Sequence, residues 1–244
     1  MSLEILAYEP TPLGLLCLRR RELLSKPGTM VTEVTLDHEF LMSSYLTESE
    51  RALTRLGLER LQNVERSSSN QLRVLVGGFG LGYTAAEAFK DAAVTHVEVV
   101  EFLPQVIGWF RDGLIPLAEQ LNAEPRLQVT HGDIYARLTG PAVVDSVPAQ
   151  FDLIAIDVDH SPEDALGDQS HGFYTEAGLR QTSEHLSSNG VLAVWSYDEN
   201  TPLLEKMKHV FTDVSVEKVT VWNDLINEEQ TDWLFFGRKI EGSL

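Results

Sequence analysis

An apolar run that empties into a glycine turn constrains this chain more than any other feature. Val74-Leu75-Val76 leads into Gly77-Gly78-Phe79-Gly80-Leu81-Gly82, and a second apolar run, Val97-Glu98-Val99-Val100, ends in Glu101. In a doubly wound sheet the glycines let the backbone approach a ligand where a Cβ would clash. The acid at the tip of the next strand accepts hydrogen bonds from sugar hydroxyls. The pair therefore predicts a nucleoside site.

Spacing narrows the ligand. A dinucleotide turn of the form Gly-x-Gly-x-x-Gly, started at Gly78, needs glycine where Tyr83 stands; started at Gly77, it fails at Phe79. No Gly-Lys-Ser/Thr follows, which excludes a P-loop. What stands here is Gly78-x-Gly80-x-Gly82, the looser turn associated with S-adenosylmethionine-type ligands, which bring no pyrophosphate to a helix end.

Around this turn, strand and helix patterns alternate. Strands are predicted at 72–77, 97–101, 127–130, 151–156 and 191–196, and two more at roughly 214–221 and 233–236. Those last two have no helix between them and should pair antiparallel. Helices are expected over about Thr84–Ala92, Pro104–Asn122, a short stretch after Asp133, Tyr174–Leu186 and 202–211, with Asn189-Gly190 stopping the fourth. The fold class is α/β: a doubly wound, mainly parallel seven-stranded sheet. Residues 1–45 read instead as a small N-terminal β arm of short strands, and 46–244 as the nucleoside-binding domain. Thr47-Glu48-Ser49-Glu50 fits a capping box that starts a helix with Leu53, Leu56 and Leu61 on one side. Ser67-Ser68-Ser69-Asn70 reads as a linker. Trp109, Trp195, Trp222 and Trp233 fall on apolar faces and are expected in the core.

Two further acids stand at strand ends, where open α/β sheets form their ligand crevice. Asp133 follows the third strand; it suits an adenine amino group, or else caps the next helix. Asp157 ends the fourth. The cofactor-binding set is thus Gly77, Gly78, Gly80, Gly82, Glu101, Asp133 and Asp157. Asp159 and His160, on the loop after the fourth strand, are the candidates for base and orienter. Asp157, Asp159 and His160 lack a companion ligand in sequence, so no metal site is assigned. Residues 161–171, rich in acids and turn formers, read as a flap over the pocket.

The chain carries 37 acidic residues against 19 Lys and Arg, a net charge of −18. Such a surface repels phosphate backbones, which argues against a nucleic-acid partner. It suits a small-molecule acceptor that is a cationic amine. No apolar run reaches the roughly 18 residues of a membrane span. The early run 12–18 precedes its arginines, the reverse of a secretory signal. The single Cys17 excludes an internal disulfide. A cytoplasmic protein is expected.

Val74–Thr84, Val97–Glu101, Gly132-Asp133 and Phe151–Asp157 together resemble the spermidine synthase (polyamine aminopropyltransferase) family, which shares the class I methyltransferase fold. Tyr8–Gly14 and Leu36-Asp37 look like that family's N-terminal arm. The resemblance implies a methyltransferase-like Rossmann sheet, S-adenosylmethionine or its decarboxylated form as co-substrate, and a homodimer formed through the arm. In the family's glycine turn an Asp, holding the amine end of the decarboxylated nucleoside, stands where this chain has Gly80. The family's catalytic Asp stands where this chain has His160, and its Tyr-His-Glu appears as Ser49-Glu50-Arg51. A carboxylate beside the methionine tail repels the α-carboxylate of intact S-adenosylmethionine, by about 1 kcal/mol or more at contact. Its loss at Gly80 favours the intact nucleoside and methyl transfer. The alternatives are aminopropyl transfer with an altered acceptor site, and a nucleoside-binding homologue without turnover.

Overall fold

A computed structural model describes residues 3–62, 71–141, 150–164 and 168–239 of the 244-residue chain. The linker expected at 67–70 lies outside these. The first four strands, β1 (Leu3–Thr11), β2 (Gly14–Glu22), β3 (Met30–Leu36) and β4 (Glu39–Ser43), form an antiparallel sheet in sequential order. Helix α1 (Glu48–Gln62) follows. The second sheet contains β5 (Leu72–Gly77), β6 (Val94–Glu101), β7 (Leu127–His131), β8 (Phe151–Ile156), β9 (Leu186–Ser196), β10 (Phe211–Asn223) and β11 (Glu228–Lys239). Its order is β10-β11-β9-β8-β5-β6-β7. The five strands β5 to β9 pair parallel, and β11 joins β9 and β10 antiparallel. This is the expected doubly wound sheet of seven strands.

The central strands are continuously apolar because each is buried on both faces, successive side chains pointing to opposite sides. Val74 and Val76 of β5, Leu153 and Ala155 of β8, and Val191 and Ala193 of β9 enter one core. Their alternates Leu75, Ile154, Ile156, Leu192 and Val194 enter the other. The first core is closed by α1, α2 (Tyr83–Ala88), α3 (Pro104–Arg111) and α4 (Ala118–Asn122), with Leu16, Leu18 and Val34 of the N-terminal sheet. The second is closed by α5 (Ile134–Leu138), α6 (Glu176–Glu184) and α7 (Leu203–Lys208). The small sheet therefore spends its inner face on the main core, which brings β4 to the rim of the crevice.

Four expectations need correction. The helix predicted over 104–122 is two helices. Gly113 takes a φ of 79°, and the N–H groups of Gly113 and Leu114 bond back to Phe110 (3.2 Å) and Trp109 (2.9 Å). That is a left-handed C-terminal cap, and it ends α3. Asn189-Gly190 does not stop α6, which ends at Glu184. His185 already feeds the sheet by accepting the Phe151 N–H at 2.8 Å, and Asn189, at φ 61°, lies in a bulge of β9. The capping box is not made: the Thr47 N–H goes to Glu48 (2.9 Å), and the Thr47 hydroxyl oxygen accepts from Arg51 (3.1 Å), leaving Glu50 to turn elsewhere. Trp109 is buried and the partly buried Trp195 and Trp233 pack against the two cores, but Trp222 is 53% exposed on the edge strand β10.

Candidate functional site

A cavity of about 1020 Å³ opens where the carboxyl ends of β5, β6, β7 and β8 meet β4 and the start of α1. It exceeds the upper end of ordinary ligand pockets, roughly 300–1,000 Å³, so one nucleoside leaves space for a second molecule.

The bend after β5 forms one wall. Gly78 has a φ of 85°, and a Cβ there would stand 2.5 Å from the Asp157 carbonyl oxygen, so the β5 and β8 loops touch only because the residue is glycine. Gly82, at φ 88°, begins α2, and a Cβ on it would meet Leu121 at 2.5 Å. Gly78 and Gly80 line the cavity; Gly77 packs on Ile134 and Ile156 instead.

Glu101 points at the bend. Its Oε2 accepts the Phe79 N–H at 2.8 Å and its Oε1 the Leu103 N–H at 2.7 Å. It is only 7% exposed; burial pushes its pKa up, and the backbone donors at Leu103, Phe79 and Phe102 pull against that. Each carboxylate oxygen keeps a second lone pair for a hydroxyl. Asp133 fulfils one of its two readings and leaves the other open. Its Oδ1 caps α5 through the N–H groups of Tyr135 (2.8 Å) and Ala136 (3.3 Å), while its buried Oδ2 has no hydrogen-bond partner among the described residues. Such an acceptor fits an amino group.

On the far side of the bend, the Thr84 hydroxyl donates to Asp157 Oδ2 at 2.5 Å. Burial, with the charge of Asp232 adding to it, lifts the Asp157 pKa to about 6. Glu50, from the first turn of α1, reaches the same place: burial and then the charge of Asp157 lift its pKa to about 8. Asp232 of β11 is also pushed up by burial, against hydrogen bonding from Ser49, Gln230 and Trp195. The Trp195 Nε1–H is buried with no partner in hydrogen-bond geometry among the described residues, although near enough to Asp232 to help hold its pKa down. Three carboxyls thus share one corner. Arg19 and Arg21, which also line the cavity, close on Glu33 at 2.9 and 2.6 Å.

Asp159 and His160 both line the cavity. Asp159, 4% exposed, accepts the phenol hydroxyls of Tyr135 (2.6 Å) and Tyr174 (3.2 Å) on Oδ2. Both phenols have their pKa values raised, chiefly by burial. The His160 ring lies 3.8 Å from Asp164.

The sequence gives no site signal of their own for Asp232, Trp195, Tyr135 and Ser170, and it offers Glu50 both as part of a capping box and, through the resemblance, at the family's Tyr-His-Glu. Tyr135 was within reach, since a capping Asp133 aims the first turn of α5 at the crevice. Asp232 gave no signal, because its strand reads as an ordinary edge strand.

No protein-family model matches the chain, and no curated protein matches it by sequence. Solved structures do. A spermidine synthase in complex with the transition-state analogue AdoDATO superposes with a TM-score of 0.71 at 16% identity, over 97% of this chain and 74% of that one. The fold is that of the spermidine synthases. The enzyme from Thermotoga maritima gives 0.68 at 15% identity, over 97% of this chain and 73% of its own. Human methyltransferase-like protein 13 in complex with SAH gives 0.51 at 19% identity, over 81% and 82% of the two chains. At these identities the likeness is one of architecture: a spermidine synthase-like, class I methyltransferase fold with its N-terminal β sheet.

Proposed function

We propose that this chain is a transferase that takes a sulfonium nucleoside of the S-adenosylmethionine type as donor and a cationic small-molecule amine as acceptor. The observation that carries the reading is a single cavity joining Gly78 and Gly80, Glu101 and the open oxygen of Asp133 to Asp159. Glu101 suits the ribose hydroxyls and Asp133 the adenine amino group. The bend suits the sulfonium arm, with Asp159 beyond it. The spermidine synthase neighbour holds AdoDATO and the methyltransferase-like one SAH, in keeping with such a donor.

Geometry favours the decarboxylated nucleoside and aminopropyl transfer. The tail that passes Gly80 runs toward Glu50, Asp157 and Asp232, which an ammonium group would stabilise and an α-carboxylate would not. The two arginines of the cavity are engaged by Glu33. Gly80 itself supports the second reading, intact S-adenosylmethionine and methyl transfer, since it removes one acid from the tail. Titration calorimetry with both nucleosides tests the choice. A tenfold or greater preference for the decarboxylated form is expected; preference for the intact form gives methyl transfer instead, and binding of neither ends the proposal. Catalysis in either case rests on proximity and on removing one proton from the acceptor, the role proposed for Asp159, with His160 at the cavity mouth as an orienter.

The edge strand β1 of the N-terminal sheet exposes Leu3, Ile5 and Tyr8 at 54, 61 and 52%. This supports the proposed homodimer, and light scattering on the purified protein checks it. A cytoplasmic location belongs to the same proposal and accords with the single cysteine.

A further inference from the structure

Ser170 is 2% exposed, lines the cavity, and its Oγ has no hydrogen-bond partner among the described residues. A buried hydroxyl without a partner is rare, because desolvating it is costly. Its position is well fixed. The Ser170 carbonyl accepts the N–H groups of Phe173 (3.0 Å) and Tyr174 (3.3 Å), and that same Tyr174 donates its phenol to Asp159. Ser170 and Asp159 therefore belong to one wall, tied through Tyr174.

We infer that Ser170 positions the attacking amine. The inference deepens the proposed transferase reading and rests on it. A primary amine presents two N–H groups beside its lone pair: one meets the Asp159 carboxylate and the other the Ser170 oxygen, which aims the lone pair at the sulfonium-bound carbon. The C–N bond forms as the C–S bond breaks, and the C–S electron pair stays on sulfur as a neutral thioether. The nitrogen, now a secondary ammonium, gives one proton to Asp159 and retains the other, which stays hydrogen-bonded to the Ser170 oxygen. A secondary amine has a single N–H and forfeits the Ser170 contact. Ser170 is thus a specificity-determining residue that selects primary over secondary nitrogen.

The test compares 1,4-diaminobutane with N,N′-dimethyl-1,4-diaminobutane on wild type and Ser170→Ala. Nucleoside binding is followed by calorimetry and turnover by release of the thioadenosine product. Wild type should prefer the primary diamine in kcat/KM. In Ser170→Ala the value for the primary diamine should fall about tenfold while that for the dimethyl compound holds, with nucleoside affinity and melting temperature unchanged. Ser170→Cys should fall between. A parallel loss with both amines, or none with either, overturns the role of Ser170 and leaves the transferase reading standing. Nucleoside binding without turnover of either diamine also overturns it, since the acceptor is then not such an amine. Failure of the nucleoside to bind wild type instead overturns the transferase reading, and this inference with it.

Discussion

At the glycine bend, Glu101 and Asp133 are held by the backbone N–H groups of following or facing residues, whereas across the cavity Glu50 has its own backbone N–H and the Ser49 hydroxyl, and Asp157 and Asp232 meet hydroxyls and an amide. Backbone donors are fixed by the fold and hold a carboxylate in place without demanding a counter-ion. Side-chain hydroxyls quench less charge, so the second corner keeps a surplus of acid that a ligand can use. The first region is built to fix a shape, the second to prefer a charge.

Removing the backbone-held acid should do the most damage. Glu101→Ala strands the N–H groups of Phe79 and Leu103 in a buried site, at about 1–3 kcal/mol each. Nucleoside affinity should fall by about a hundredfold or more, read by calorimetry, and the melting temperature should fall with it. An affinity within threefold of wild type would break the distinction between the two regions.

Glu50→Gln should act on preference rather than on binding as such. Above a pH of about 8, where Glu50 is ionised, it takes a charge from the corner, so the decarboxylated nucleoside should lose about tenfold, roughly 1.4 kcal/mol, while the intact one is unchanged or gains.

Titration sharpens the same point. Glu50 and Asp157 have pKa values of about 8 and about 6, above the ordinary 4.5 and 3.8. Between the ordinary and the raised values the folded state binds more protons than the unfolded one, so stability falls as pH rises. Thermal unfolding of the ligand-free protein should show a declining melting temperature from about pH 5 to pH 8, shallower in Glu50→Gln. Affinity for a cationic tail should run the other way, rising from pH 6 to pH 8 as Glu50 ionises. A flat profile for either would remove the crowded-acid account.

The smallest effect is expected at Tyr135→Phe, which takes one of two phenols from Asp159. Turnover should fall several-fold with nucleoside affinity intact; an equal loss in both would place Tyr135 with the bend instead.

Legibility in the sequence cut across this division, since Asp157 of the acid corner stands at a strand end and is as readable as Glu101. The bend, Glu101 and Asp133 could be read because each lies within a few residues of the end of an apolar strand, and a doubly wound sheet brings those ends to one edge. The breaks were harder. Gly113 splits what looks like one helix, since a glycine within an otherwise helical pattern reads equally as interior or as cap. Thr47 and Glu50 had the spacing of a capping box, yet Arg51 and Glu48 took those bonds, a competition that spacing alone does not rank.

The order of apolar runs, glycines and acids in this chain was enough to determine a doubly wound seven-stranded sheet, because periodicity and turn chemistry are local. Tertiary structure alone decided that Glu50 of the first helix, Asp157 of β8 and Asp232 of the last strand share a corner, and that Ser170 stands with Asp159. Those residues come from distant parts of the chain. Their meeting depends on how the small sheet, the hairpin β10–β11 and the turn before α6 close over the crevice, which no stretch of sequence encodes by itself.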